Sequence, residues 1–260
     1  MIRVGIGGWV FPPWRGEFYP PGLPQTRELE YASRKLTSIE INGTFYGTQK
    51  PESFRKWAAE TPDNFVFSVK GPRYATHRRV LAEAGQSIER FFASGVLELQ
   101  DKLGPILWQF DARKAFDPDD FAGFLGLLPQ RLAGRRIRHA VEVRHASFPV
   151  PEFIALLRKF SVVPVLADSP KHPLIADVAG DFVYARLERT AEKEKAGYPA
   201  PALDLWARRA RTWAAGGAPD DLATIAGPPA AASERDVFIY MISGAKVRAP
   251  AAARALIERL

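Results

Sequence analysis

Cysteine is absent from the 260-residue chain. A disulfide framework, a thiolate nucleophile and a cysteine-ligated zinc site are therefore excluded. Nowhere do about eighteen consecutive apolar residues occur, so no transmembrane helix is expected. The opening Met1-Ile2-Arg3-Val4-Gly5 already has a strand pattern and lacks the charged region, apolar stretch and cleavage site of a signal peptide. A cytoplasmic location without a membrane partner is the expectation. No G-x-G-x-x-G or G-x-x-x-x-G-K-[ST] motif follows a strand-like run, which weakens any nucleotide-binding reading. A G-x-S-x-G elbow is also missing, and this disfavours acyl transfer through serine.

What is present is a chain rich in apolar residues, at 47% hydrophobic, enough for a large buried core. Eight short apolar runs at 3–8, 37–42, 65–70, 105–110, 140–144, 162–168, 182–187 and 237–242 have strand length and composition. Between and after them lie helical patterns at 26–36, 51–60, 86–102, 117–128, 151–160, 172–179, 202–215 and 249–260, the sixth being short. Strand and helix alternating eight times within this length predict one (β/α)8 barrel domain of the TIM type spanning 1–260, with a doubly wound sheet as the alternative. The charged stretch 188–201 after the seventh run contains Gly197-Tyr198-Pro199 and reads as a lid over the barrel mouth. The Ala-, Pro- and Gly-rich stretch 218–235 precedes the eighth run, belongs to the opposite face, and reads as a mobile connection without a site.

Strand parity then places a pocket. Side chains alternate across a strand, and in a closed barrel one parity faces the helices and the other the interior. Ile39 and Ile41 set Glu40 and Asn42 inward; Phe67 and Val69 do the same for Ser68 and Lys70, and Val141 and Val143 for Glu142 and Arg144. In the sixth run Val165 and Ala167 are read as facing the helices, with Leu166 and Asp168 inward. In the seventh Tyr184 and Arg186 point inward, and in the fourth Gln109 shares parity with Leu107. These residues lie at the carboxyl ends of their strands, where barrel enzymes assemble their sites.

Glu40, Glu142 and Asp168 supply negative charge and Lys70, Arg144 and Arg186 supply positive charge, so a nearly balanced mouth is expected. Three cations among the would-be ligands oppose a divalent metal, and neither metal nor cofactor is expected. Arginine suits two-point recognition of carboxylate or phosphate, and a lysine offers a point charge or a tunable amine. The competing account is an internal salt-bridge network. For the set a ligand site is favoured, because buried ion pairs often lose more in desolvation than they gain. His77 follows the third strand on the mouth side and His145 follows Arg144, so both are candidate acid–base or binding groups. His172 also reaches the mouth side but has no parity support, and His139 lies at the amino end of its strand.

Several segments resemble a known family. Gly5-Ile6-Gly7-Gly8-Trp9, Trp14-Arg15-Gly16-Glu17-Phe18-Tyr19-Pro20, Ile39-Glu40-Ile41-Asn42-Gly43-Thr44-Phe45-Tyr46 and Phe67-Ser68-Val69-Lys70 with Thr76-His77 are similar to motifs of the YecE-like family, also called domain of unknown function 72. Leu103-Gly104-Pro105-Ile106-Leu107-Trp108-Gln109 and Val141-Glu142-Val143-Arg144-His145 extend the likeness. The resemblance covers most of 1–170 and implies a barrel without an established reaction. Farther on, Arg186-Leu187-Glu188-Arg189 stands where that family usually carries Arg-x-His-Gly, and Met241-Ile242-Ser243-Gly244 where it usually carries Phe-Asn-Asn.

Two functions follow. The first is an enzyme acting by acid–base chemistry on a small anionic or polyhydroxylated substrate. In it Glu40, His77, Glu142 and Asp168 move protons or support charge, and Asn42, Lys70, Gln109, Arg144, His145 and Arg186 bind. Hydrolysis, elimination and isomerisation all stay open. The second is a non-catalytic binding protein, with nucleic acid as a partner. It is motivated by the net charge of +7 and by Arg135, Arg136, Arg138 and Arg208, Arg209, Arg211. Both clusters fall on expected solvated surfaces without interleaved aromatics, which is weak support for nucleic acid. The sequence sets no oligomeric state.

Overall fold

The computed structural model describes residues 1–227 and 234–260. Eight parallel strands close on themselves: β1 (Ile2–Gly7), β2 (Ser38–Ile41), β3 (Val66–Lys70), β4 (Leu103–Gln109), β5 (His139–Glu142), β6 (Val162–Asp168), β7 (Phe182–Leu187) and β8 (Asp236–Met241), with β8 pairing back onto β1. The predicted barrel is the observed one.

Its outer layer carries α1 (Glu28–Ser33), α3 (Pro51–Glu60), α5 (Gly85–Ala93), α6 (Pro118–Gly126), α7 (Pro151–Lys159), α8 (Ala200–Ala214) and α9 (Ala249–Ile257). Two single-turn helices, α2 (Gly43–Tyr46) and α4 (Arg73–Thr76), follow β2 and β3 on the mouth side. Local chemistry sets these boundaries. Asp117 caps α6 by accepting from the Asp119 and Asp120 amides, and Pro118 occupies the first turn, where its missing N–H has no helical partner to lose.

The helix expected at 172–179 does not form; that segment is irregular among the described residues. At eight residues the pattern is only about two turns long, and so short a helix has little stability of its own. The stretch 218–235 is held at its described ends. Asp177 accepts from the Ile225 and Ala226 amides, and Arg235 donates to Gly217 O. Its part at 228–233 lies outside the described residues.

Apolar side chains form two cores. The larger fills the space between strands and helices and includes Ile39, Phe67, Trp108, Val141, Leu166 and Ile239. The smaller lies inside the barrel and includes Val66, Leu107, Val165, Phe182, Tyr184 and Phe238. Above it sits a tier of hydroxyl pairs, Ser38 Oγ with Tyr240 OH at 2.8 Å and Ser68 Oγ with Tyr184 OH at 2.7 Å. These pairs satisfy groups that would otherwise be buried without partners.

β1 is narrow by necessity. A Cβ on Gly5 would stand 1.9 Å from Ser38 O, and one on Gly7 would stand 2.7 Å from Ile242 Cδ1 and 2.8 Å from Asn42 Nδ2. Both glycines occupy the inward parity of β1, so above Arg3 the strand sends no side chain into the interior and leaves room at the mouth.

Candidate functional site

That room is a cavity of about 690 Å3 at the carboxyl ends of the strands. Lys70, Gln109, Arg144 and Arg186 form its floor, and Trp9, Trp14, Trp57 and Tyr46 form much of its wall. Trp9 and Trp57 meet edge to face at 5.1 Å. Lys246, from the short turn after β8, also lines it; its ammonium lies 4.5 Å from the Phe11 ring and its backbone carbonyl accepts from Trp14 Nε1. Among the described residues four cations line the cavity and no carboxylate does.

The carboxylates lie beneath. Glu40 and Glu142 are both fully buried, and the Arg186 guanidinium sits between them. Arg186 Nε and Nη2 donate to the two oxygens of Glu40 at 3.2 and 3.1 Å, and Nη1 donates to Glu142 Oε2. Tyr184 OH donates to Glu40 Oε2 at 2.7 Å. Glu142 Oε1 accepts from Gln109 Nε2 at 2.8 Å and from Arg144 Nε at 2.7 Å. Lys70 Nζ donates to Gln109 Oε1 at 2.8 Å and stands 3.9 Å over the Phe45 ring. One network thus runs through strands β2, β3, β4, β5 and β7. Strand register makes this possible, because Gln109 lies opposite Glu142 and Glu40 opposite Ser68.

Charge within this network shifts proton affinities in definite directions. Burial lowers the Lys70 ammonium, with the neighbouring Arg186 charge adding to it, to about 8. For Glu142, burial works upward, but Arg186, Arg144 and Lys70 outweigh it and hold the carboxyl well below the usual range. For Arg186 burial works downward, and Glu142 and Glu40 more than reverse it. The Glu142 carboxylate and the Arg186 guanidinium are therefore held in their ionised forms, while the Lys70 ammonium changes charge near neutral pH.

Of the residues singled out by parity, Glu40, Ser68, Lys70, Gln109, Glu142, Arg144, Tyr184 and Arg186 come together in this network. Asn42 lines the cavity, its amide donating to Glu40 O. Asp168 does not join them. Val165 lies in the interior core and Leu166 in the helix-facing one, so β6 has the reverse of the expected parity. Asp168 instead pairs with Arg189 Nε at 2.7 Å.

His77 stands against the Phe45 ring, with Nδ1 3.7 Å from Asp111 Oδ2, and His145 Nδ1 lies 2.9 Å from Ser147 Oγ. Neither lines the cavity. Burial lowers the His77 imidazole despite Asp111. The stretch 188–201 contributes no lining residue either. It folds back through a bond from Ala191 N to Gly197 O and rests on α9, where Gly197 packs near Ala252.

Sequence reasoning missed the aromatic wall and Lys246. Trp9 and Trp14 lie in the loop after β1 and Lys246 in the loop after β8, both on the mouth side, so tryptophans clustered after a strand end were the available signal. Glu188 was also missed. Its Oε1 is buried without a hydrogen-bond partner, 3.8 Å from Arg186 Nη1. Four arginines of the basic clusters carry counter-ions: Arg135 pairs with Asp101, Arg136 with Asp181, Arg138 with Asp236 and Arg209 with Asp221. Among the described residues no helix is long and apolar enough to cross a membrane.

Known proteins resemble this chain in sequence and in shape. It is 30% identical over 151 residues to the UPF0759 protein YecE of Escherichia coli strain K12, a match covering 57% of this chain and 50% of YecE, so the likeness spans about half the length of that relative. The crystal structure of a DUF72 family protein from Thermotoga maritima superposes with a TM-score of 0.72 at 22% identity, covering 99% of this chain and 97% of that one. SacUVDE superposes with a TM-score of 0.54 at 10% identity, covering 99% of each chain, a likeness of fold alone. The model of the protein family of unknown function DUF72 matches residues 3–260, the span of the barrel itself, and the chain belongs to that family.

Proposed function

We propose that this barrel is an enzyme that takes a small anionic substrate into the cavity at its mouth and works on it by acid–base chemistry. One observation carries the reading: among the described residues the cavity is lined by Lys70, Arg144, Arg186 and Lys246 and by no carboxylate, while Glu40 and Glu142 lie beneath the cations. Arg144 and Lys246 bind the anion, and Asn42 and Gln109 supply directional hydrogen bonds. Glu40 and Glu142, saturated with donors, keep Arg186 and Arg144 in place. Glu142, held ionised by its cations, does not exchange protons. Lys70 does: with an affinity near 8 it passes between ammonium and amine at working pH, and as the amine it still donates to Gln109 while its lone pair is free. The tryptophan wall favours a substrate whose anionic group is joined to a flat or apolar body.

Titrating the intact protein with inorganic phosphate and with benzoate, followed by tryptophan fluorescence, tests the binding half. Turnover on panels of phosphorylated and carboxylated metabolites, with Lys70→Met as control, tests the chemistry. Saturable, competitive quenching by both anions supports the reading. Absence of quenching at low ionic strength, together with salt-dependent binding of DNA or RNA, overturns it in favour of a nucleic-acid-binding protein.

A further inference from the structure

We infer that Lys70 is a nucleophile as well as a proton carrier, and that the cavity takes an aldehyde or ketone bearing a carboxylate or phosphate, held as an imine on Lys70 Nζ. The inference rests on the proposed anion site and names the substrate class of that site.

The geometry sets a single amine at the floor of a large chamber. Lys70 is 5% exposed, and what exposure it has is to the cavity. The Phe45 ring covers one side of Nζ at 3.9 Å and Gln109 Oε1 fixes its direction at 2.8 Å, so an approaching carbon meets it from the chamber. Arg186 and Arg144 share the floor, and a neighbouring cation together with desolvation is the arrangement that frees a lysine amine for attack. Arg144, with Lys246 across the chamber, anchors the anionic end of the substrate, which brings its carbonyl to the amine. Lys246, at the aromatic wall, offers no comparable amine fixed by a side-chain acceptor, since its ammonium rests on the Phe11 and Trp14 rings.

The chemistry balances without a redox partner. The amine lone pair forms a C–N bond to the carbonyl carbon as the C=O π pair moves onto oxygen. One proton then passes from nitrogen to that oxygen, giving a carbinolamine. The nitrogen pair next expels the hydroxyl group, which leaves as water with a proton from solvent, and the C=N bond of the iminium is formed. The iminium draws electrons from the adjacent carbon, which makes proton loss there easier.

Trapping on the intact chain tests this. The protein is incubated with pyruvate, glyoxylate or acetone and sodium cyanoborohydride near pH 7.5, and the modified lysines are mapped by peptide mass spectrometry. Near that pH the free-amine fraction of a lysine titrating at about 8 exceeds that of an ordinary lysine by roughly two orders of magnitude. Pyruvate and glyoxylate are expected to label Lys70 ahead of every other lysine, with protection by inorganic phosphate. Acetone, which lacks the anion, is expected to label it far less, and Lys70→Arg is expected to abolish the preferred adduct. Adducts confined to surface lysines, or equal labelling by acetone, overturn the inference. The phosphate titration of the wild-type protein separates the two failures: quenching without trapping removes only the imine, whereas loss of both removes the anion site as well.

Discussion

Replacing Arg186 by Met tests whether the network beneath the cavity is held by that one guanidinium. Arg186 is 2% exposed, and Glu40 and Glu142 are fully buried on either side of it. Methionine fills much of the volume but leaves Glu40 with the Tyr184 hydroxyl alone, whereas Glu142 keeps Gln109 and Arg144. Removing one partner of a buried ion pair costs about 3–5 kcal/mol, because the remaining charge is uncompensated. For a chain of this size that is a fall in Tm on the order of 10 °C.

The pH dependence carries the sharper signature. In the wild-type protein the depressed Glu142 carboxyl contributes stability above its unfolded value of about 4.3, lost as pH falls through the folded value. In the variant Glu40 has lost its counter-ion and is driven to take up a proton. Folding is then favoured in acid and penalised as pH rises. The gap between the two proteins should therefore widen from about pH 4 to pH 7. Urea unfolding at both values measures it, and adding Glu40→Gln to Arg186→Met should recover part of the loss at neutral pH. A deficit under about 1 kcal/mol, or one independent of pH, would refute the reasoning, since it would mean that the carboxylates do not depend on Arg186.

Phosphate affinity should fall as pH rises through about 8, because Lys70 is an ammonium below that value and a neutral amine above it; a fluorescence titration at several pH values reads the midpoint. Asp168→Asn should leave phosphate affinity unchanged and alter stability by less than about 1 kcal/mol, since its partner Arg189 is half exposed and outside the cavity lining. Gly7→Ala should destabilise the fold by about 1–3 kcal/mol in urea unfolding, because its Cβ would meet Ile242 and Asn42 inside contact distance, and should weaken benzoate more than phosphate.

Much of the barrel mouth was legible because in five strands, β2, β3, β4, β5 and β7, the inward parity carries the polar residue at the carboxyl end. β2 reads Ser38-Ile39-Glu40-Ile41 and β3 reads Val66-Phe67-Ser68-Val69-Lys70, so polar and apolar faces separate at a glance. In β6, Val162-Val163-Pro164-Val165-Leu166-Ala167-Asp168 is apolar on both sides until its last residue. A strand buried on both faces gives no parity signal. Asp168 drew the reading inward, and the barrel settles the matter instead by register, which sets Ala167 beside Arg186 and Val165 beside Tyr184.

The same limit applies to the site. Inward charges could be found one strand at a time, but which of them face a ligand depends on how they stack. A single arginine reaching across from β7 submerges two carboxylates that strand position alone would have placed at the surface of the cavity. The aromatic wall comes from loops and from α2 and α3, where no two-residue repeat exists to reveal it.

The hollow above β1 is made by backbone rather than by movable side chains. Gly5 and Gly7 contribute no rotamers, so that stretch of β1 itself can neither swing in when the chamber is vacant nor move aside when it is filled. Selectivity by size on that flank is consequently rigid, and a graded series of residues at position 7 would act as a calibrated plug, excluding progressively smaller guests while the charged floor stayed the same.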